Sequence, residues 1–194
     1  MAKKSSLFVA TTDTPRNAYV RWMDPYRDSA IARGFKEAAD AVVDHAAAQS
    51  RHPDQYLFPI GFLYRHCLEL KLKRLCKLGE DLTSLQVPSG ILRSHSLTGL
   101  WLHLRPMIEK VWPSGDPREL DSVNAVLREF QEVDPTSQGF RYDVDTQGQE
   151  NLRGLPESIT LDHLREVIDR TFALLDGCEA GFEECLSAMR GTQR

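Results

Sequence analysis

The chain has 194 residues, of which 41% are hydrophobic and 27% are charged, and its formal net charge is −4. This balance is ordinary for one globular domain. The acidic net charge excludes a generally basic surface of the kind that coats a nucleic-acid duplex. No apolar run reaches the roughly 18 residues that a membrane span needs, and Leu7 to Ala10 is too short for the core of a signal peptide. The sequence therefore predicts a cytoplasmic domain that does not associate with membranes.

The first part of the chain divides into an arm and the start of a domain. Residues 1–25 show no helical period and predict an N-terminal arm, and residues 26–190 predict a single helical domain. Apolar residues at spacings of three and four predict the first helix from Asp28 to Gln49. A more apolar stripe predicts a second, central helix from Gln55 to Leu78, with Gly79 as its C-cap. The segment that follows, up to residue 93, predicts a loop.

The second half of the chain carries clearer helix boundaries. Ser94 or Ser96 predicts the N-cap of a third helix, because a serine side chain accepts hydrogen bonds from free helix amides. Asp116, followed by Pro117 at the first helical position, predicts the start of a fourth helix. A continuous apolar stripe predicts a last helix from about Leu161 to Met189.

Residues 136–159 differ from the helical segments around them. Phe140 to Asp145 alternates in the manner of a β-strand, and Gln147 with Gly148 is a turn signal. We expect a small β-hairpin or loop insertion before the C-terminal helix. Together these elements predict an all-α fold, an antiparallel bundle of about five helices with the second and last helices at its centre.

The sequence shows no metal or cofactor site. Its four cysteines lie inside helical apolar patterns without a C-x-x-C pair, so we expect buried reduced thiols. Its six histidines are scattered and lack the spacing of zinc ligands. The glycine-rich phosphate loops and the serine-hydrolase motif are absent as well. We therefore predict a protein that needs neither metal nor cofactor.

A local excess of positive charge marks the second predicted helix. Five cations lie between residues 65 and 77 against one anion. This strip either attracts an anionic partner or is simply a solvated helix face. Lys71 is unusual because its helical angle places it among apolar residues, where it must snorkel, find a carboxylate or reach a cavity. The five cations are Arg65, Lys71, Lys73, Arg74 and Lys77.

The same helix carries a group that can do chemistry. Arg65, His66, Glu69 and Lys73 fall on one polar side by the 100° rule. His66 has the acidity suited to proton transfer or phosphate contact, and Arg65 can pair with Glu69 four residues later. The alternative interpretation is a surface ion pair beside an incidental histidine.

Three further candidates come from other segments. His95 opens the third helix, where free amides attract anions; a capped helix start with a chance histidine is the alternative. Arg141 and Tyr142 project from the predicted hairpin, and an arginine on an exposed loop suits a ligand clamp. The alternative for Arg141 is an ion pair that pins the loop to the bundle.

Five segments of the chain form a pattern in sequence order: Leu57-Phe58, Leu63 to Lys73, His95 to Trp101, Phe140-Arg141-Tyr142 and the C-terminal helix. Together they resemble the HEPN superfamily, helical bundles of bacterial toxin–antitoxin and antiphage systems. The resemblance covers most of the chain from about residue 28. The similarity implies a dimer and, as in many members, a metal-independent ribonuclease. The usual signature, an arginine followed four to six residues later by a histidine, is absent here.

The resemblance and the residues lead to one functional expectation with alternatives. We expect an RNA-binding effector of a bacterial defence or toxin module that can act as an endoribonuclease. Arg65, His66 and Arg141 are the expected catalytic residues. The alternatives are a non-catalytic module that binds a nucleotide, RNA or a protein partner, and a helical assembly domain whose polar cluster is only structural. The expected partners are RNA or a nucleotide, a second copy of the chain, and a protein encoded nearby. Glu69, Lys73, His95 and Tyr142 are the expected binding residues.

Overall fold

A computed structural model describes residues 18–19, 27–49 and 53–192. It confirms the predicted all-α class, and no helix in these ranges is long and apolar enough to cross a membrane. Of the predicted arm, only Ala18 and Tyr19 lie inside the described residues. The helices are α1 (Arg27–Ala48), α2 (Asp54–Thr83), α3 (Ser89–Arg93), α4 (Leu97–Val111), α5 (Pro117–Val133) and α6 (Leu161–Thr192).

Two helix starts are where the sequence predicts them. The backbone N–H of Gly99 donates to the Ser96 hydroxyl at 3.0 Å, which caps α4. The backbone N–H of Arg118 donates to the Asp116 carboxylate at 3.0 Å, and Pro117 occupies the first position of α5. These caps satisfy helix amides that no intrahelical carbonyl can reach.

The prediction that α2 ends before Gly79 is wrong. The helix continues to Thr83, and Ser84 adopts the left-handed conformation at φ 62°. Gly79 serves packing instead: a Cβ at this position would lie 2.5 Å from the Met107 sulfur of α4. A glycine is therefore needed for the close approach of the two helices. The predicted loop after residue 79 thus contains the last turn of α2 and the short α3.

The helices are not all antiparallel to their neighbours. Between α2 and α6, the residue numbers of contacting pairs rise together on both helices, from the pair Lys71 and Asp176 to the pair Arg74 and Glu183. Contacts of α2 with α4 advance in the same way, so α2, α4 and α6 run in one direction. The predicted antiparallel arrangement is wrong for these pairs, because the connection after α2 carries the chain back before α4, and α5, which runs antiparallel to α4, carries it back before α6.

The core surrounds α2, which packs against α1, α4 and α6. Its apolar face is buried as the sequence stripe predicts, and each fully buried Leu or Ile side chain contributes about 1.5–3 kcal/mol. The predicted free thiols are present as well: Cys67 and Cys76 are buried, while Cys178 and Cys185 are half-buried. The largest apolar side chains of this core are Ile60, Tyr64, Leu68, Leu72, Leu75, Leu97, Leu100, Leu104, Met107 and Phe182.

The connection between α5 and α6 is a loop insertion without a strand among the described residues. Residues 143–151 turn back through Gly148, but their pairing is limited to one antiparallel bridge between Val144 and Glu150, with backbone N–H groups of Asn151 and Asp145 donating to the carbonyls of Asp143 and Gln149 at 2.8 Å. Phe140, predicted to begin a strand, instead buries its ring over Gly61 of α2, where a Cβ would lie 2.3 Å from the ring. This close contact fixes the loop, and with it Arg141, against the middle of α2.

Gly181 packs against an aromatic ring rather than another helix. Trp112 stacks on Phe182 with ring centres 5.3 Å apart, and a Cβ on Gly181 would lie 2.6 Å from the Trp112 ring. Around Gly177, one turn earlier, no atom lies within 4 Å of such a Cβ. Glycines four residues apart on a helix permit close approach of another helix, but neither glycine makes such an approach to a described helix of this chain.

These two glycines allow a matched test of packing. Both substitutions to alanine gain about 0.5–1 kcal/mol of helix propensity. We expect Gly177→Ala to raise the free energy of unfolding by that amount. Gly181→Ala should lower it, because overpacking costs about 1–3 kcal/mol. Urea unfolding of the two variants measures the difference, and equal stabilisation by both would contradict the packing of Trp112 on Gly181.

Candidate functional site

The basic strip of α2 is neutralised by carboxylates of the same chain. All five of its cations form intramolecular ion pairs, three of them with residues of α6 or α1. The strip is therefore neither a free anion-binding surface nor a solvated helix face. The pairs are Arg65 with Glu69 and Asp134, Lys71 with Asp176 and Glu179, Lys73 with Glu69, Arg74 with Glu179 and Glu183, and Lys77 with Asp28.

Lys71 finds its carboxylates across the α2–α6 interface. Its ammonium is 1% exposed, bonds Asp176 and lies 2.5 Å from Glu179. It also lies 4.9 Å from the centre of the Phe172 ring, a cation–π contact. Of the three outcomes left open by the sequence, the structure has the carboxylate pair. Lys71 is thus part of the framework of the fold.

Arg65 is a buried support rather than a ligand contact. Its side chain is 1% exposed. The guanidinium donates to the backbone carbonyl of Asp134 at 3.3 Å and to that of His95 at 2.9 Å, and it pairs with Glu69 at 3.5 Å. Burial lowers the pKa of Arg65 despite the carboxylates of Asp134 and Glu69 beside it. The expected catalytic role of Arg65 is therefore corrected, because the start of the α5–α6 connection covers its side chain.

Glu69 connects three elements of the candidate site. It is 2% exposed and accepts from Lys73 at 2.8 Å, while His95 Nδ1 lies 3.0 Å from its Oε1 atom. Burial alone would raise the pKa of Glu69, but the hydrogen bonds and charges of Lys73 and His95 outweigh it and lower the pKa. A charged carboxylate therefore orients the His95 ring, whose side chain is 58% exposed.

The helix start near His95 is less open to an anion than the sequence suggests. The backbone N–H of Leu97 donates to the Gln131 side chain at 2.8 Å, and that of Gly99 donates to Ser96. These two amides are satisfied within the protein. These two amides are not free to bind an anion, so an anion bound at His95 would contact the imidazole ring instead.

His66 lies in an aromatic pocket at the surface of α2. Its ring stacks on Phe62 with centres 5.7 Å apart and meets the edge of Phe35 at 4.5 Å. Burial lowers the pKa of His66, and the opposing charge of Glu69 reduces that shift. The half-buried ring is consequently neutral near pH 7 and able to accept a proton.

Arg141 approaches the same aromatic ring from the α5–α6 connection. Its guanidinium carbon lies 5.8 Å from the Phe62 centre, and its Nε donates to the Ser137 carbonyl at 3.0 Å. The His66 ring contacts the same Phe62 ring, with its centre 5.7 Å away. The Phe62 ring therefore links the guanidinium of Arg141 with the imidazole of His66. The predicted ion pair between Arg141 and a carboxylate does not form with any residue the structure describes.

The predicted site residues therefore separate into two groups. The structure brings together His66, Glu69, Lys73, His95 and Arg141, which we call the imidazole cluster. Tyr142 lies at its edge, 55% exposed, with its ring 5.7 Å from the Arg141 guanidinium. Arg65 lies beneath the cluster and out of reach of solvent. Lys73 and His95 share the Oε1 atom of Glu69, whereas Arg141 and His66 share only a contact with the Phe62 ring.

Sequence reasoning missed residues that place the cluster. Asp134, which precedes a proline at the end of α5 and so suggests only a helix end, has a carboxylate that accepts from the backbone N–H groups of Gln138 and Gly139 at 2.8 and 2.9 Å and also pairs with Arg65. Phe62 was overlooked because an aromatic residue in an apolar helix is usually core. The sequence of α6 does contain a signal for partners of the α2 cations, because three of its carboxylates are spaced three and four residues apart and so lie on one face of the helix. Those carboxylates belong to Asp176, Glu179 and Glu183.

Two cavities lie away from the imidazole cluster. One is an open groove of 1610 Å³ between the end of α4, α5 and α6. The other has a volume of 300 Å³ and lies between α5, the start of α6 and the loop before it. No cluster residue lines either cavity. Neither cavity is therefore part of the cluster, whose His95 and Tyr142 side chains are exposed.

Within the described residues, no group of three or more histidine, cysteine, aspartate or glutamate side chains is arranged to hold a metal ion. Comparison of the chain with protein-family models, curated proteins and solved structures gives no match. The resemblance to HEPN proteins therefore stays a prediction based on the sequence motifs.

Proposed function

We propose that the imidazole cluster binds RNA and cleaves it without a metal ion. The observation that carries this proposal is the contact between exposed His95 and buried Glu69. A buried carboxylate at Nδ1 fixes the ring and its tautomer, and it leaves Nε2 free for proton transfer. A second imidazole, His66, lies one turn before Glu69 on α2, and the charges of Glu69 and His95 both act on its pKa. Paired imidazoles can supply the base and the acid that cleavage requires.

The roles follow from the two environments. His66, whose pKa is lowered, accepts the proton of the RNA 2′-hydroxyl as that oxygen bonds to phosphorus. His95 donates a proton to the departing 5′-oxygen as the phosphorus–oxygen bond breaks. The products are a 2′,3′-cyclic phosphate and a 5′-hydroxyl. Arg141 stabilises the charge that builds on the phosphate without Arg65, which was also among the expected catalytic residues.

Charge limits how the substrate is held. The cations of α2 pair with carboxylates of the chain, so few phosphates can be neutralised by the protein. Binding with few phosphate contacts is weak and only slightly dependent on salt. The substrate we propose is accordingly a short single-stranded segment, held at one phosphate and stacked on exposed Tyr142.

RNA cleavage in EDTA tests the proposal. We expect His95→Ala and His66→Ala each to lower the cleavage rate about 10²–10⁴-fold, the usual contribution of a positioned acid or base. His103→Ala, on α4 outside the cluster, is the matched control and should retain the wild-type rate. A substrate with 2′-deoxyribose at the cleavage position should stay intact. Equal rates for all three variants would refute the assignment.

The alternative is a non-catalytic module that binds a nucleotide, RNA or a protein. The specific observation in its favour is that the cluster lies outside both cavities, since most enzymes enclose their substrates. Binding of RNA by the wild type without any cleavage would support this alternative. Membership of a bacterial defence or toxin module, action in the cytoplasm, a homodimer and a partner encoded nearby are further proposals that rest on the HEPN resemblance.

A further inference from the structure

The smaller cavity is a well-formed apolar site that the proposed function does not use. It has a volume of 300 Å³ and lies between α5, the first turns of α6 and the loop from residue 152 to residue 160. Three of its wall residues are buried and belong to the core, while others are half-buried. The principal apolar wall residues are Phe130, Phe140, Leu155, Ile159, Leu164 and Ile168.

The size of the cavity selects the size of a ligand. An engineered apolar cavity of about 150 Å³ stays free of water and binds benzene. The cavity here, at 300 Å³, is large enough for two fused rings. Its volume is also at the lower limit of natural ligand pockets, about 300–1,000 Å³. A rigid bicyclic molecule would fill it without the entropy cost of ordering a long chain.

The charge of the lining selects the chemistry of the ligand. No lysine or arginine lines the cavity. Its polar groups are Glu129, Ser158, Thr160 and His163, and all four residues are exposed, which places them at the mouth. The Glu129 carboxylate would repel an anionic ligand and would accept a hydrogen bond from an N–H group. The lining therefore favours a neutral heteroaromatic molecule with one donor.

The loop over the cavity is held by an unusual backbone conformation. Leu152 has φ 58°, in the left-handed region that non-glycine residues rarely adopt. Its side chain packs on Gly139, where a Cβ would lie 2.9 Å from the Leu152 Cδ2 atom. Such a conformation costs about 1–3 kcal/mol and persists only where surrounding contacts impose it. The contacts of Leu152 thus fix the loop that forms one wall.

From this combination of volume, charge and a fixed wall, we propose that the cavity binds a small neutral heteroaromatic molecule of about the size of indole. The ring system lies between α5 and α6, and its N–H group donates toward the mouth. This site is independent of the imidazole cluster, and its test does not depend on any activity of the chain.

Isoleucine-methyl NMR with indole as the probe tests the proposal on the wild-type chain. Ile159 and Ile168 line the cavity, whereas Ile108 lines the open groove. We expect saturable shifts of the Ile159 and Ile168 methyl signals and an unchanged Ile108 signal. Indole-3-carboxylate, which carries a negative charge, should bind at least about tenfold more weakly, a difference of 1.4 kcal/mol.

A pair of filling variants localises the binding. Leu155→Trp places a larger side chain in the cavity and should abolish the indole shifts. Leu120→Trp places the same side chain in the open groove and should leave them unchanged. Shifts at Ile108 instead of Ile159 and Ile168, or none at millimolar indole, would overturn the proposal. If Leu155→Trp does not fold, the methyl shifts of the wild type decide alone.

Discussion

Replacing Lys71 with alanine should lower the free energy of unfolding by about 3–5 kcal/mol, the cost of removing one partner from a buried ion pair. The ammonium lies between two carboxylates of α6. After the substitution Glu179 keeps Arg74 of α2 and the more exposed Asp176 keeps Arg33 of α1. The buried Lys71 side chain also fills space beside Phe172. The substitution therefore removes the buried cation between the two carboxylates and leaves a cavity in the interface of α2 with α6.

Lys77→Ala is the matched control for this experiment. Lys77 lies on the same helix, but its side chain is 57% exposed and pairs with a half-exposed Asp28. An exposed ion pair contributes at most about 1 kcal/mol. Urea unfolding of both variants measures the contrast, and a loss for Lys71→Ala no greater than that for Lys77→Ala would contradict the buried network.

The pH dependence gives a second measurement of the same network. Burial would raise the pKa of Glu179, but its hydrogen bonds to Lys71, Ser29 and Arg74 outweigh burial and lower it. A carboxylate with a lowered pKa in the folded state stabilises the fold above its unfolded pKa, about 4.3, and loses that contribution as the pH falls further. We expect the difference in the free energy of unfolding between wild type and Lys71→Ala to be largest near neutral pH and to shrink below pH 4.

Features that depend on neighbouring residues were predictable from the sequence. The caps at Ser96 and Asp116 are examples, because each is a bond between a side chain and an amide two or three residues later. The buried face of α2 was predictable for the same reason, since helical spacing fixes which side chains share a face. Gly79 shows the limit: its sequence fits a C-cap, and the approach of Met107 decides otherwise.

The candidate site depends on contacts that helical spacing does not contain. Arg65 and His66 are adjacent on α2 and were predicted to share a solvated side. The chain around Asp134 and His95 covers Arg65 and leaves His66 half-exposed. The partners of Lys71 and Arg74 lie about a hundred residues away on α6, beyond any local pattern. The sequence could therefore identify the residues of the cluster but not which of them face solvent.

The two arginines among the expected catalytic residues, Arg65 and Arg141, should give opposite results when each is replaced by alanine. Arg65→Ala leaves the buried Glu69 and Asp134 carboxylates without their shared guanidinium, so we expect a loss of about 3–5 kcal/mol in the free energy of unfolding. Arg141 is exposed and donates to a backbone carbonyl of its own loop. Arg141→Ala should therefore change stability by no more than about 0.5 kcal/mol.

RNA affinity should depend on Arg141, although the stability of the fold depends mainly on Arg65. A hydrogen bond from a charged donor contributes about 1.5–3 kcal/mol, so Arg141→Ala should weaken binding of a short single-stranded RNA roughly 10- to 100-fold. Titration of a fluorescent hexanucleotide in EDTA measures this loss, and urea unfolding of the same samples measures stability. Arg141→Lys is the conservative variant, and it should recover part of the affinity because an ammonium keeps the charge but not the planar fork. If Arg141→Ala instead destabilised the fold as much as Arg65→Ala and bound RNA like the wild type, Arg141 would be a structural residue of the loop, and the imidazole cluster would have no phosphate contact on that side.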